Sequence, residues 1–92
     1  MKKKIYKIRN KLDKIDNKIL ILVKKRTQLV NIILSQKDFK NQIIDKKRIK
    51  IILKKIKQKS IKMKIDTDIT KRIWKSMINA FIRYEFKNFK KK

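Results

Sequence analysis

Cationic side chains on one apolar helical stripe are the residues of this chain best suited to chemistry. Apolar residues alternate at steps of three and four along the first third of the chain, at Ile5, Ile8, Leu12, Ile15, Ile19, Leu22, Leu29 and Ile33. The heptad series 5, 12, 19, 26, 33 places Arg26 where an apolar residue is expected. A guanidinium on a buried stripe is costly unless it meets an anion. Arg26 is therefore a candidate ligand-binding residue.

A structural explanation of Arg26 stays open beside the chemical one. The guanidinium could pair with Asp13, with Asp16 or with a carboxylate on another helix. A neighbouring stripe at 9, 16, 23, 30 and 37 begins with Arg9 and ends with Lys37. The inner side of one predicted helix thus carries cations at its start, middle and end.

Arginine is scarce in this chain, which makes each one informative. Five of the 31 cations are arginines, namely Arg9, Arg26, Arg48, Arg72 and Arg83. Where lysine is the default cation, a retained arginine suggests that a fork-shaped donor is needed, as in bidentate carboxylate binding. Three of them, Arg9, Arg26 and Arg48, lie beside predicted buried faces.

Composition limits the chemistry that remains. The chain has 92 residues, enough for one domain at 1–92, and a net charge of +24. It contains no Cys, His, Gly or Pro, which excludes thiolate chemistry, histidine bases and glycine-rich phosphate loops. We expect no metal and no cofactor. The longest apolar run, 19–23, is too short to cross a bilayer, and we expect a soluble, cytoplasmic protein.

The periodicity predicts an all-α fold of three helices. The expected helices cover about 4–37, 45–63 and 67–89, the last fraying into the lysines at 90–92, and Asp66 is the expected N-cap of the third. The predicted buried face of the second helix consists of Ile49, Ile52, Leu53 and Ile56. That of the third consists of Ile69, Ile73, Trp74, Met77, Ile78, Phe81 and Tyr84.

The first predicted helix is too long for a compact chain of this size. About 34 residues at 1.5 Å each span roughly 50 Å. A globule of this length has a diameter of only about 30 Å. A monomeric three-helix bundle would leave one end of the apolar stripe in water. We therefore predict a homodimer in which the long helices of two chains pack together.

The order of these residues resembles the all-α chorismate mutase family. The matching features are IRNKLDKID at 8–16, Arg26, Lys37, Asp45 followed three residues later by Arg48, and IWKSMINAFIRYEF at 73–86. Arg26 follows Arg9 by seventeen residues, and Lys37 follows Arg26 by eleven. The resemblance covers nearly the whole chain, and the joint spacing is more specific than any one fragment.

The resemblance implies an intertwined homodimer with two shared active sites that bind chorismate. Arg26 and Lys37 would hold the carboxylates and the ether oxygen of the substrate, and Arg48 would add positive charge. Asp45 would meet the ring hydroxyl, and Arg9 would come from the partner chain. Glu85 falls where the family places a Gln or Glu that donates a hydrogen bond to the ether oxygen.

Two positions depart from the commonest family pattern. Ile49 stands where many members carry a Glu that contacts the ring hydroxyl, and Phe81 stands where a small polar residue is frequent. Related isochorismate-pyruvate lyases also lack that Glu and carry an aromatic residue at the second position. The resemblance therefore implies a chorismate mutase, with a lyase of the same fold as the alternative and Ile49 and Phe81 as lining residues.

The high positive charge favours a different class of function, binding to nucleic acid. The cations are spread around all three predicted helices, however, and no helix-turn-helix or aromatic stacking platform is recognisable. Trp74, Phe81, Tyr84 and Phe86 lie at helical spacing that is more typical of a core. A membrane-surface helix is disfavoured because the apolar faces are needed within the bundle. We expect neither a specific nucleic acid nor a membrane as partner.

Overall fold

The computed structural model describes residues 2–90, and the predicted lysine tail at 91–92 lies outside them. Its elements in chain order are α1 (Lys2–Ser35), a 3₁₀ turn (Lys40–Gln42), α2 (Lys46–Lys62) and α3 (Thr67–Asn88). No β-strand occurs in this described part. The predicted all-α class with three helices is confirmed. The chain forms two compact units, 1–32 and 33–92, and a single domain at 1–92 stays a prediction.

The first unit is the helical segment of α1 up to residue 32. Its apolar stripe is about half exposed at every turn, from 47% at Ile5 to 61% at Leu22. The intervening stripe residues Ile8, Leu12, Ile15 and Ile19 have exposures between 49% and 52%. Because half-exposed isoleucine and leucine side chains leave much burial energy unused, this stripe is a candidate interface.

The second unit contains α2 and α3, which pack against each other. Leu34, Ile43 and Ile78 are its buried apolar residues. The predicted inward face of α2, Ile49, Ile52, Leu53 and Ile56, is half-buried. On α3, Trp74, Met77, Phe81 and Tyr84 are half-buried as well.

The predicted burial of Ile69 and Ile73 is wrong. These two residues are 54% and 52% exposed, whereas Thr70 is 8% exposed. The Thr70 hydroxyl lies 2.7 Å from the hydroxyl of Ser60, which donates in turn to the Ile56 carbonyl at 2.6 Å. The inward face of α3 therefore contains Thr70 instead of Ile69 and Ile73, because the Thr70 hydroxyl has a hydrogen-bond partner, Ser60, on α2.

Side-chain and backbone caps set the helix ends in this unit. Asp66 accepts a hydrogen bond from the backbone N–H of Asp68 at 2.8 Å, which confirms it as the N-cap of α3. At the end of α2, Ile65 N–H donates to the Ser60 carbonyl and Lys64 N–H donates to the Ile61 carbonyl. This is a Schellman motif, and it holds Lys64 at a φ of 57°, in the left-handed region. Glycine is the usual residue at this position of the motif, but the chain contains none, and Lys64 occupies it.

Among the described helices, none combines the length and the apolar character that a membrane span requires. The cytoplasmic location stays a prediction.

Candidate active site

The centre of the candidate site is an ion pair between Lys37 and Glu85. The Lys37 ammonium donates to Glu85 Oε1 across 3.0 Å, and the two residues are 48 positions apart in the chain. The side chains are 18% and 9% exposed, respectively. Glutamate is rarely buried to this extent unless it is paired, and partial burial strengthens the attraction between the charges. Two predicted site residues are thus brought together.

Lys37 lies just beyond the end of α1, which corrects its predicted place inside the first helix. The helix ends at Ser35, and the Lys37 N–H donates to the carbonyl of the buried Leu34 at 3.1 Å. The backbone at Lys37 is therefore attached to the core on its N-terminal side.

The side chain of Gln42 forms hydrogen bonds with the backbone just after Lys37. Gln42 was not among the predicted site residues. Its Oε1 accepts hydrogen bonds from the backbone N–H groups of Asp38, at 2.7 Å, and Phe39, at 2.9 Å. The Gln42 N–H donates to the Phe39 carbonyl at 3.1 Å, and the next residue, Ile43, is 3% exposed. A Gln three residues after the N-cap is the second half of a capping box, but the N-cap here is Phe39, which lacks the polar side chain of the first half, so the usual sequence signal is incomplete.

Asp45 and Arg48 lie at the start of α2, which begins at Lys46, one residue after the predicted helix start at 45. The Asp45 carboxylate accepts from the Arg48 backbone N–H at 2.9 Å, which makes Asp45 the N-cap of the helix. Both residues are exposed. The cap uses Oδ1 of the carboxylate and fixes its position at the helix N-terminus.

An open pocket of about 790 Å³ adjoins the ion pair. Its lining residues are Lys37, Lys40, Asn41, Gln42, Ile44, Asp45, Lys46 and Phe86. Three lysines against one aspartate give this lining a net positive charge. Such a pocket is suited to a small anion, and it brings the predicted residues Lys37 and Asp45 onto one surface.

Ile49 and Phe81 are half-buried in the second unit. The Phe81 ring packs edge-on against Tyr84, with the ring centroids 6.4 Å apart and an interplanar angle of 71°. Phe81 therefore contributes to side-chain packing in the second unit.

Arg9 and Arg26 both lie on α1, in the first unit. Arg9 is exposed, while Arg26 is half-buried and its Nη1 atom is inaccessible to solvent. Asp13 and Asp16, the aspartates considered as partners of Arg26, are exposed. Of the three arginines expected beside buried faces, Arg26 is the one with substantial burial, since Arg48 is exposed.

No cluster of three or more potential metal ligands of the carboxylate, histidine or cysteine type is found between residues 2 and 90. The second unit offers the ammonium group of Lys37, the buried carboxylate of Glu85 and a pocket lined by three lysines.

These features define an all-α protein with a pocket whose lining carries a net positive charge. The sequence profile of the family described as chorismate mutase type II matches residues 8–86. The chain belongs to this family, which supports a chorismate mutase-type function. Searches among curated protein sequences and among solved structures found no significant match.

Proposed function

We propose that this protein is a chorismate mutase that converts chorismate to prephenate, a step of aromatic amino-acid biosynthesis. The observation that carries the proposal is the partly buried Lys37–Glu85 pair beside a pocket of net positive charge, in a chain of this family. Chorismate is a dicarboxylate with an ether oxygen, and the site offers cationic donors for both kinds of group.

The reaction suits a chain with no histidine or cysteine. Chorismate rearranges within one molecule: the ether C–O bond breaks as a C–C bond forms, and neither a proton nor an electron is exchanged with the protein. The protein must hold the substrate in its folded reactive conformer and stabilise the negative charge that develops on the ether oxygen. Fixed cations in a partly buried site serve both purposes.

The family resemblance supplies the proposed roles. Arg26 and Lys37 bind the carboxylates and the ether oxygen, and Arg48 adds positive charge near them. Asp45 accepts from the ring hydroxyl. Glu85, when protonated, donates to the ether oxygen. These roles are consistent with the half-buried Arg26 and with the placement of Lys37 beside Glu85.

We further propose that the active protein is a homodimer with shared sites, each of which receives Arg9 from the partner chain. The half-exposed apolar stripe of α1 supports this proposal. At about 25 cal/mol per Å² of apolar surface, covering several Ile and Leu side chains with a second copy is strongly favourable.

Turnover of chorismate tests the proposal directly. The protein is produced in a host that lacks its own chorismate mutase, and the loss of chorismate absorbance and the formation of prephenate are followed. Arg26→Ala should lower kcat/KM by at least about 10³, because it removes a charge-assisted fork to a carboxylate in a desolvated site. The circular dichroism spectrum should remain helical.

Arg72→Ala is the matched control. Arg72 pairs with Asp68 on the exposed face of α3, at 3.0 Å, and should be replaceable with less than about a twofold change in kcat/KM. Equal activity of Arg26→Ala and wild type would contradict the proposed role of Arg26.

A second candidate, an isochorismate-pyruvate lyase, is favoured by Ile49 and Phe81. The same preparation is therefore incubated with isochorismate, and pyruvate is measured. Pyruvate release with no conversion of chorismate would replace the mutase by the lyase. Failure with both substrates, together with salt-sensitive binding to DNA, would favour the nucleic-acid-binding alternative.

A further inference from the structure

The segment between α1 and α2 is held at both ends. On its N-terminal side, Lys37 N–H donates to the carbonyl of buried Leu34. On its C-terminal side, Ile43 is 3% exposed, and its N–H donates to the Lys40 carbonyl at 3.1 Å. Between these anchors, the backbone N–H groups of residues 38 and 39 converge on a single acceptor, the side-chain oxygen of Gln42.

We propose that Gln42 is a positioning residue that holds Lys37 at the substrate. This inference rests on the proposed function. Lys37 has its own N–H bonded to Leu34, and the next peptide N–H, that of Asp38, is bonded to Gln42. The two bonds flank the Cα atom of Lys37 and restrict the rotation of its backbone. The direction of the Lys37 side chain toward Glu85 therefore depends on the Gln42 carbonyl group.

Because these hydrogen bonds are exposed, the effect of Gln42 on the position of Lys37 can be distinguished from its effect on the stability of the protein. Gln42, Asp38 and Phe39 are exposed, so water can replace the Gln42 oxygen at both N–H groups. Loss of Gln42 should consequently change the free energy of unfolding little. It should, however, release the backbone beside Lys37, and small misplacements of a catalytic group reduce turnover strongly.

Three substitutions at position 42 test the acceptor. Gln42→Met keeps the length of the side chain without a carbonyl group, and Gln42→Ala removes both. We expect each to lower kcat for chorismate by about tenfold while the melting temperature shifts by less than about 2 °C. Gln42→Glu retains an oxygen that can accept both N–H groups and should keep kcat within about threefold of wild type, although its charge raises KM.

Gln58→Ala is the control, since Gln58 is an exposed glutamine on α2 and does not line the pocket. It should leave kcat and KM unchanged. Wild-type kcat in Gln42→Met, or a kcat in Gln42→Glu as low as that of Gln42→Ala, would overturn the proposal.

Amide hydrogen exchange provides a readout that does not depend on turnover. The N–H groups of Asp38 and Phe39 should exchange at least about fivefold faster in Gln42→Met than in wild type, while those inside α2 and α3 are unchanged. If wild type fails to convert chorismate, the proposed function falls, and exchange still decides whether Gln42 holds this segment. Unchanged exchange at both residues would overturn the inference about Gln42 by itself.

Discussion

Glu85 differs from every other carboxylate of the chain in its surroundings. It is buried, whereas the six aspartates are exposed, namely Asp13, Asp16, Asp38, Asp45, Asp66 and Asp68. Its Oε1 atom accepts a hydrogen bond from Lys37. A carboxylate accepts hydrogen bonds only, so Glu85 can donate to an ether oxygen only in its protonated form. The role proposed for Glu85 therefore depends on its protonation state.

Glu85→Gln should expose this requirement. The ionised form of Glu85 would set a negative charge against the one that develops on the ether oxygen. The amide group of Glu85→Gln carries no charge and supplies a hydrogen-bond donor, so this variant should retain substantial kcat/KM at neutrality. Turnover of chorismate by the variant and the wild type under the same conditions measures the effect.

Glu85→Ala completes this comparison. It lacks a donor and leaves Lys37 without its carboxylate, and its kcat/KM should be low. Equal kcat/KM for wild type, Glu85→Gln and Glu85→Ala would show that Glu85 merely pairs with Lys37 and has no part in turnover.

The periodicity of apolar residues in the sequence predicted most of the helical structure. The alternating steps of three and four predicted α1, and Asp66 was predicted as the N-cap of the third helix. These signals are local, because a cap and an apolar stripe act within one or two turns. The observed ends lie within two residues of the predicted ranges 4–37, 45–63 and 67–89, and the start of α3 at Thr67 is the predicted one.

Which face of α3 turns inward could not be predicted from apolar residues alone. Thr70 and Glu85 can be buried because partners outside α3, Ser60 and Lys37, satisfy their hydrogen-bonding groups. Such partnerships depend on how elements pack. The family resemblance implied that Lys37 and Glu85 belong to one site, whereas their ion pair and the hydrogen bonds of Gln42 appeared only with the structure.

The buried contact between Thr70 and Ser60 should contribute measurably to stability. Thr70→Val keeps the shape of the side chain but removes the hydroxyl group that lies 2.7 Å from Ser60 Oγ. We expect the free energy of unfolding to fall by about 1 kcal/mol, since a buried hydrogen bond is lost. Urea denaturation followed by circular dichroism measures the change.

Thr27→Val provides the matched control for this prediction. The Thr27 hydroxyl donates to the Val23 carbonyl one turn earlier in α1, at 2.8 Å, and makes no link between helices. Its removal should change stability by less than about 0.5 kcal/mol. Equal effects of the two substitutions would mean that the Ser60 contact adds nothing to the packing of α2 against α3.

For the whole molecule, charge and apolar surface favour different partners. The net charge of +24 attracts anions of every kind over several ångströms, which raises encounter rates without selecting a ligand. The apolar stripe of α1 is more selective, because it fits another amphipathic helix. A second copy of this chain supplies such a helix with the same period, and the proposed dimer has twice the mass of 11.3 kDa, about 22.6 kDa.

Subunit complementation tests the dimer and the shared site together. Arg9→Ala and Arg26→Ala chains should each be inactive as homodimers. In a mixed dimer, Arg26 of the first chain and Arg9 of the second belong to the same site, so one of the two sites is complete. After full exchange of subunits, about a quarter of the wild-type activity should return. Mixing each variant with itself under the same conditions is the control. Light scattering that shows an active species of 11.3 kDa would exclude the dimer, and exchange without recovered activity would place Arg9 outside the partner's site.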